Sequence, residues 1–195
     1  MTCSDGTVVH LPVPSTTERA KGARLQRRIS RRKKGSHRRA KAQQQFNRHR
    51  RHLVQRRTDA MHKITTRMAK NHGLLVVEDL QVKNMTSSAA GTMQEPGRQV
   101  RQKAGLNRAL LAQAFGELRR QLTYKAAWSG ARLIAVSPHH TSQRCSRCGH
   151  TASENRASQA VFCCLACGHR DQADYNAACN ILAAGIAASA QGAAA

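Results

Sequence analysis

Apolar positions are thinly and unevenly spread along the first third of the chain. Leu25 and Ile29 mark one narrow stripe, and Phe46, Leu53, Met61, Ile64 and Met68 mark a second, at spacings of seven, eight, three and four. Those recurrences predict two helices over residues 15–72, separated by the KKGS run at 33–36. Ser15 and Glu18 have capping-box spacing after Pro14, and Gly73 suits the position just past the second helix. The period then changes. Leu74, Leu75, Val76 and Val77 form an unbroken apolar run, as expected of a strand buried on both faces. Residues 85–105 are rich in Ser, Gly, Gln and Ala with weak periodicity, which predicts a mobile loop or lid. Leu106, Leu110, Ala114, Leu118 and Leu122 then define one helical face, ended by Gly130, and ARLIAVSP reads as a second buried strand. Hairpin, strand, loop, helix, strand is an α/β alternation.

Composition narrows the partners. The 195 residues are 40% hydrophobic, enough for one domain with a small insert, yet 33 Lys and Arg face only 10 Asp and Glu, a formal charge of +23. Such an imbalance opposes compaction unless a polyanion neutralises it, so nucleic acid, DNA foremost, is the expected partner. A membrane is not expected: the chain holds six aromatics, and no basic segment is paired with an aromatic face. The N-terminus resembles no signal peptide, which leads to a cytoplasmic, nucleoid-associated expectation. Residues 19–70 carry 20 of the 33 cations and one acid, Asp59, so a solvated, salt-bridged face does not explain them. Candidate nucleic-acid contacts are Arg27, Arg28, Arg31, Arg32, Lys33, Lys34, Arg38 and Arg39, around the hairpin's turn.

The sharpest local pattern is C-x2-C-x15-C-x2-C, formed by Cys145, Cys148, Cys164 and Cys167. Two such pairs make two knuckles, and four thiolates close the tetrahedron of a structural zinc. His150 and His169 follow the knuckles and are the alternative ligands; Cys163 competes with Cys164, which is preferred because it restores the spacing. Glu78 and Asp79, at the C-terminal end of the first strand, are open to two readings: a catalytic or metal-binding carboxylate, or an arginine partner.

Three stretches in this order, LLVVEDLQVKNM, LTYKAAWSGARLIAVSPHHTSQRCSRCGH and CGHRDQADYNAACNIL, closely resemble the TnpB/OrfB proteins of bacterial insertion sequences, relatives of type V CRISPR effectors; LQRRISRRKKGSHRRAK resembles their basic hairpin. The resemblance implies an α/β, RNase H-like (RuvC) nuclease core with a basic helical hairpin and an inserted four-Cys zinc ribbon, directed to DNA by a guide RNA. On that pattern Glu78 and Asp174 are the second and third catalytic acids, holding Mg²⁺ or Mn²⁺, whereas Asp79 and Asp171 are neighbours.

The family's first acid lies in a G-x-D-x-G strand, a motif that does not occur in these residues; Asp5, in the SDGT turn, is not a substitute. The expected core therefore lacks its first strand, and the expected domains are a partial core at 1–140 with hairpin 15–72 and lid 85–105, a ribbon at 141–170, a last core segment at 171–185, and a disordered Ala-rich tail at 186–195. Three function classes follow. The first is a nuclease half that cleaves only when another segment or chain, a homo-oligomer partner or a missing N-terminal half, supplies the first acid. The second is a silent nucleic-acid-binding remnant or repressor. The third is a zinc-ribbon RNA-binding protein.

Overall fold

The fold is described from a computed structural model, which covers residues 1–192. It divides into two compact units, one formed by His10–Ile64 and the other by Met1–Val9 together with the chain from Thr65 onward.

In the first unit, helix α1 (Thr16–Ser30) opens on the predicted capping box: the Glu18 amide donates to Ser15 Oγ, and the Ser15 amide donates to Glu18 Oε2 at 2.8 Å. The same carboxylate takes a fork from Arg56 of helix α2 (His37–Asn71), at 2.9 and 3.0 Å. Leu25 and Ile29 of α1 and Ala42 of α2 are buried. Arg39 closes the turn by donating to the carbonyls of Ile29 and Arg32 at 2.8 and 3.1 Å. The hairpin's interior is thin, and charged hydrogen bonds at both ends fix its geometry.

The second unit is built on a parallel pair, β1 (Leu74–Glu78) and β2 (Arg132–Val136), in register Leu74 with Arg132 through Glu78 with Val136. Between them run the short α3 (Val82–Met85), α4 (Val100–Gln113) and α5 (Phe115–Ser129). The single helix expected across residues 106–122 is broken at Ala114, whose φ of 55° is left-handed. The break has a packing consequence: Leu118, Leu122 and Ala126 of α5 are buried, while α4 buries none of its residues. The loop expected at 85–105 is correspondingly shorter, with residues 86–99 between α3 and α4. Helix α4 begins at Val100, and Asn107 and Lys103 hold the loop's start by donating to the carbonyls of Thr86, Ser87 and Met85.

A polar knot lies under α5. Lys125 Nζ donates to the hydroxyls of Thr65 and Thr66, both at 2.8 Å, Thr65 donates to Gln121, and burial pushes the lysine's pKa down.

After β2 come β3 (Val161–Cys163) and β4 (Arg170–Gln172), an antiparallel ribbon, and then α6 (Ala173–Gly192), which covers β1 and β2. Helix α6 passes the expected end at 185 because its last turns are Ala-rich, and alanine is the strongest helix former. Of the tail expected to be disordered, residues 186–192 are helical, and 193–195 lie outside the described residues. Gly185 meets β1 so closely that a Cβ built there would stand 2.3 Å from Val76 Cγ2.

Candidate metal and nucleic-acid sites

Each Cys pair sits on the same backbone turn. In the first, the Gly149 amide donates to the Cys145 carbonyl and the Cys145 amide to the His150 carbonyl; in the second, Gly168, Cys164 and His169 repeat the pattern. Gly149 and Gly168 have φ of 78° and 69°, the left-handed conformation that glycine reaches without strain. The CGH triplets therefore do conformational work, and the two histidines close the turns through their carbonyls.

The four Sγ atoms of Cys145, Cys148, Cys164 and Cys167 lie within 4.8 Å of one another, with 3.7 Å from Cys145 to Cys167 and 3.6 Å from Cys148 to Cys164. A tetrahedron with metal–sulfur bonds of about 2.3 Å has edges of about 3.8 Å, so this donor set fits a four-thiolate metal. Cys163 lies instead in β3. Phe162, fully buried with Cys145, Cys164 and Ala173, forms the ribbon's core.

Three asparagines tie this unit together. Asn155 is fully buried, donates to the carbonyls of Gln143 and His150, and accepts from the Leu165 amide, bridging the two knuckles. Asn176 of α6 accepts from the Ser146 amide and donates to the Arg144 carbonyl; Asn180, one turn on, donates to the carbonyls of Thr141 and Arg144.

Glu78 ends β1 and accepts a 2.8 Å hydrogen bond from the Thr141 hydroxyl. Thr141 thus joins the carboxylate on one side to Asn180 of α6 on the other. Glu78 and Asp5 both line a cleft of about 530 Å³, walled by Val76, Phe115, Leu122 and Ile181. Asp5 is committed to its turn by the Thr7 amide, and that bond holds its carboxyl below the usual range. Asp79 is paired with Arg119 of α5. Asp174 lies in the first turn of α6, mostly exposed, with Arg156 at 3.7 Å. It stands six residues before Asn180, about 9 Å along the helix. No hydrogen bond or ion pair joins it to Glu78. Among the described residues, the four Cys are the one group of three or more Cys, His, Asp or Glu with gathered ligand atoms.

The cations of the hairpin turn are arranged differently from one another. Arg31, Lys33, Lys34 and Arg38 are exposed, whereas Arg39 is half-buried and used in closing the turn. Arg27 and Arg28 are exposed, with bonds to the Ala23 carbonyl and to Gln45.

A protein of Escherichia coli (strain K12) that carries the provisional name "RNA-guided DNA endonuclease InsQ" is 51% identical over 187 residues, covering 95% of this chain and 46% of its own length. The chain is a TnpB-type protein. The family described as "Probable transposase" matches residues 1–89, and the "Cas12f1-like, TNB domain" family matches residues 115–181. The TnpB-type chain is also 49% identical over 67 residues to the CRISPR-associated endodeoxyribonuclease Cas12f1 of Sulfoacidibacillus thermotolerans, covering 34% of this chain and 16% of that one. Its fold is similar to that in the cryo-EM structure of a CRISPR-Cas12f ternary complex, with a TM-score of 0.54, 21% identity and coverage of 85% of this chain and 31% of that one. The chain spans about half the length of the full-length relatives it matches, 46% of InsQ and 44% of a Streptomyces pristinaespiralis protein. No helix among the described residues is long and apolar enough to cross a membrane.

What motif reading missed in this TnpB-type chain is the polar scaffold: Thr141, Asn155, Asn176 and Asn180. Asn176 and Asn180 carried a signal, since two asparagines one helical turn apart sit on a face otherwise made of Ala, Ile and Leu.

Proposed function

We propose that this chain is the carboxylate and zinc-ribbon part of a divalent-metal-dependent, RNA-guided DNA endonuclease, in which Glu78 and Asp174 supply two acids and a third comes from a segment outside these 195 residues. The observation that carries the reading is the Glu78–Thr141–Asn180 chain of hydrogen bonds. It ties the acid at the end of β1 to the helix that carries Asp174 in its first turn. Divalent ions held by such acids would neutralise a scissile phosphate and lower the pKa of an attacking water.

The residues' own tasks are positional. The Thr141 hydroxyl donates to Glu78 Oε1 and so restrains the carboxylate's rotation. The ribbon holds the start of α6 through Asn176, so the four-thiolate zinc is structural and acts on Asp174 only by fixing that helix. The exposed cations of the hairpin supply affinity for DNA and guide RNA through phosphate contacts.

Joining an upstream strand bearing G-x-D-x-G to the chain should give Mn²⁺- or Mg²⁺-dependent DNA cleavage, abolished by Glu78→Gln or Asp174→Asn. Cleavage that survives both substitutions would remove the acids from the mechanism. A second reading, a silent DNA-binding remnant, is favoured by the Arg partners already facing Asp79 and Asp174. It predicts no cleavage from the extended chain while DNA binding persists.

A further inference from the structure

The sequence contains a single tryptophan, and Trp128 is 80% exposed in a chain with only six aromatics. It belongs to an ordered ladder on α5. Tyr124, one turn earlier, meets the indole edge-on with ring centroids 4.7 Å apart and planes at 64°. The Arg120 guanidinium lies 5.7 Å over the Tyr124 ring and is itself held by two bonds to Glu117, at 2.7 and 2.8 Å. Lys125, fixed by Thr65 and Thr66, flanks the same ring at 5.9 Å. The indole is thus propped from one side, with most of its surface in solvent, and Arg132 at the start of β2 is exposed four residues further on.

We infer that Trp128, propped by Tyr124, is a stacking platform for an unpaired base of single-stranded DNA, with Arg120 and Arg132 as the flanking phosphate contacts. Aromatic faces stack on any base, and exposed arginines beside them track the backbone, which is the general design of single-strand grooves. A second copy of the chain is the poorer occupant. One indole offers about 250 Å² at most, against the roughly 1,000 Å² of a specific interface, and two copies at +23 each repel. DNA rather than RNA follows from the other end of the helix. Arg119 of α5 pairs with Asp79, next to Glu78, so the helix that carries the indole also borders, on its opposite face, the carboxylates proposed to act on DNA. The inference rests on the nucleic-acid part of the proposed function and not on its cleavage chemistry.

The single indole makes the test direct on the full chain. A dodecamer of thymidine should quench Trp128 fluorescence saturably at low salt, whereas heparin, a polyanion without bases, should bind without comparable quenching. Trp128→Ala should weaken the labelled dodecamer about tenfold and leave heparin affinity unchanged, with Trp128→Phe in between. Tyr124→Leu, which keeps the indole as reporter, should reduce the quenching. Binding of the dodecamer with unchanged emission, or equal quenching by heparin, overturns the platform while DNA binding itself stands. Tighter binding and deeper quenching by a uridine RNA dodecamer overturn the assignment to DNA. Concentration-dependent dimerisation lost in Trp128→Ala would show that the indole serves a second copy. No binding of any oligonucleotide by the parent chain would sink the nucleic-acid reading beneath it.

Discussion

At the scale of single residues, the knuckle glycines and Gly185 are constrained for opposite reasons. Gly168 has φ of 69° with nothing within 4 Å of a built Cβ, so Gly168→Ala costs only backbone strain, about 1 kcal/mol. Gly168→Asn, which tolerates that conformation better, should recover part of the loss; ribbon melting in the metal-bound chain measures both. Gly185 is limited by space instead. Its Cβ would stand 2.3 Å from Val76 Cγ2, so Gly185→Ala should destabilise by about 1–3 kcal/mol, and adding Val76→Ala should restore a large share. Strict additivity in a denaturation cycle would mean that the two residues do not meet in solution. The Cys spacing was legible because chelation imposes a fixed interval between ligands. Asn155 was not, since an asparagine whose partners are three backbone groups leaves no periodic mark in the sequence.

Helices α1 and α2 show how much an element depends on one acid. Arg56 and the Ser15 amide hold Glu18 down to about 2 from a usual 4.5, so the folded unit prefers the ionised form. The unfolded chain takes up its proton first as pH falls. The contribution is therefore full above about 4.5 and is lost progressively toward 2. Far-UV circular dichroism in acid should show Glu18→Gln without that part of the transition, and already less stable than the parent at neutral pH. Element boundaries were the least legible level. The capping box at Ser15 and Glu18 announced the start of α1 correctly. The heptad-like leucines between 106 and 122 concealed the break at Ala114, because alanine in sequence gives no sign of a left-handed backbone. Strands β1 and β2 were readable from their apolar runs, although β1 buries only Leu75 and β2 only Val136 rather than both faces; β3 and β4 were not foreseen, and the parallel pairing, Leu74 with Arg132, depends on the intervening helices.

For the whole molecule, charge and metal set separate dependences. Replacing Arg31, Arg32, Lys33 and Lys34 by Gln should weaken binding to every DNA sequence and flatten the log-log salt dependence by between about one and four units. An unchanged slope would place the basic face elsewhere. Removing the ribbon's metal with a chelator should unfold residues around the four Cys and leave α1 and α2 helical, read by hydrogen exchange. Because Asn176 and Asn180 fasten α6 to the first knuckle, amide protection should also fall at the start of α6, near Asp174.

The sequence separation of the pairings has a consequence for synthesis. Contacts of the His10–Ile64 unit close within a few tens of residues, whereas β1 waits for β2, and both wait for α6, which is made after them. Local contacts form fast and early, and distant parallel pairings form late. On the ribosome, the most cationic segment is therefore folded before the unit that carries Glu78 and Asp174 is complete. On the proposed function, the nascent chain would acquire its affinity for nucleic acid first, and an interrupted translation product would retain that affinity alone.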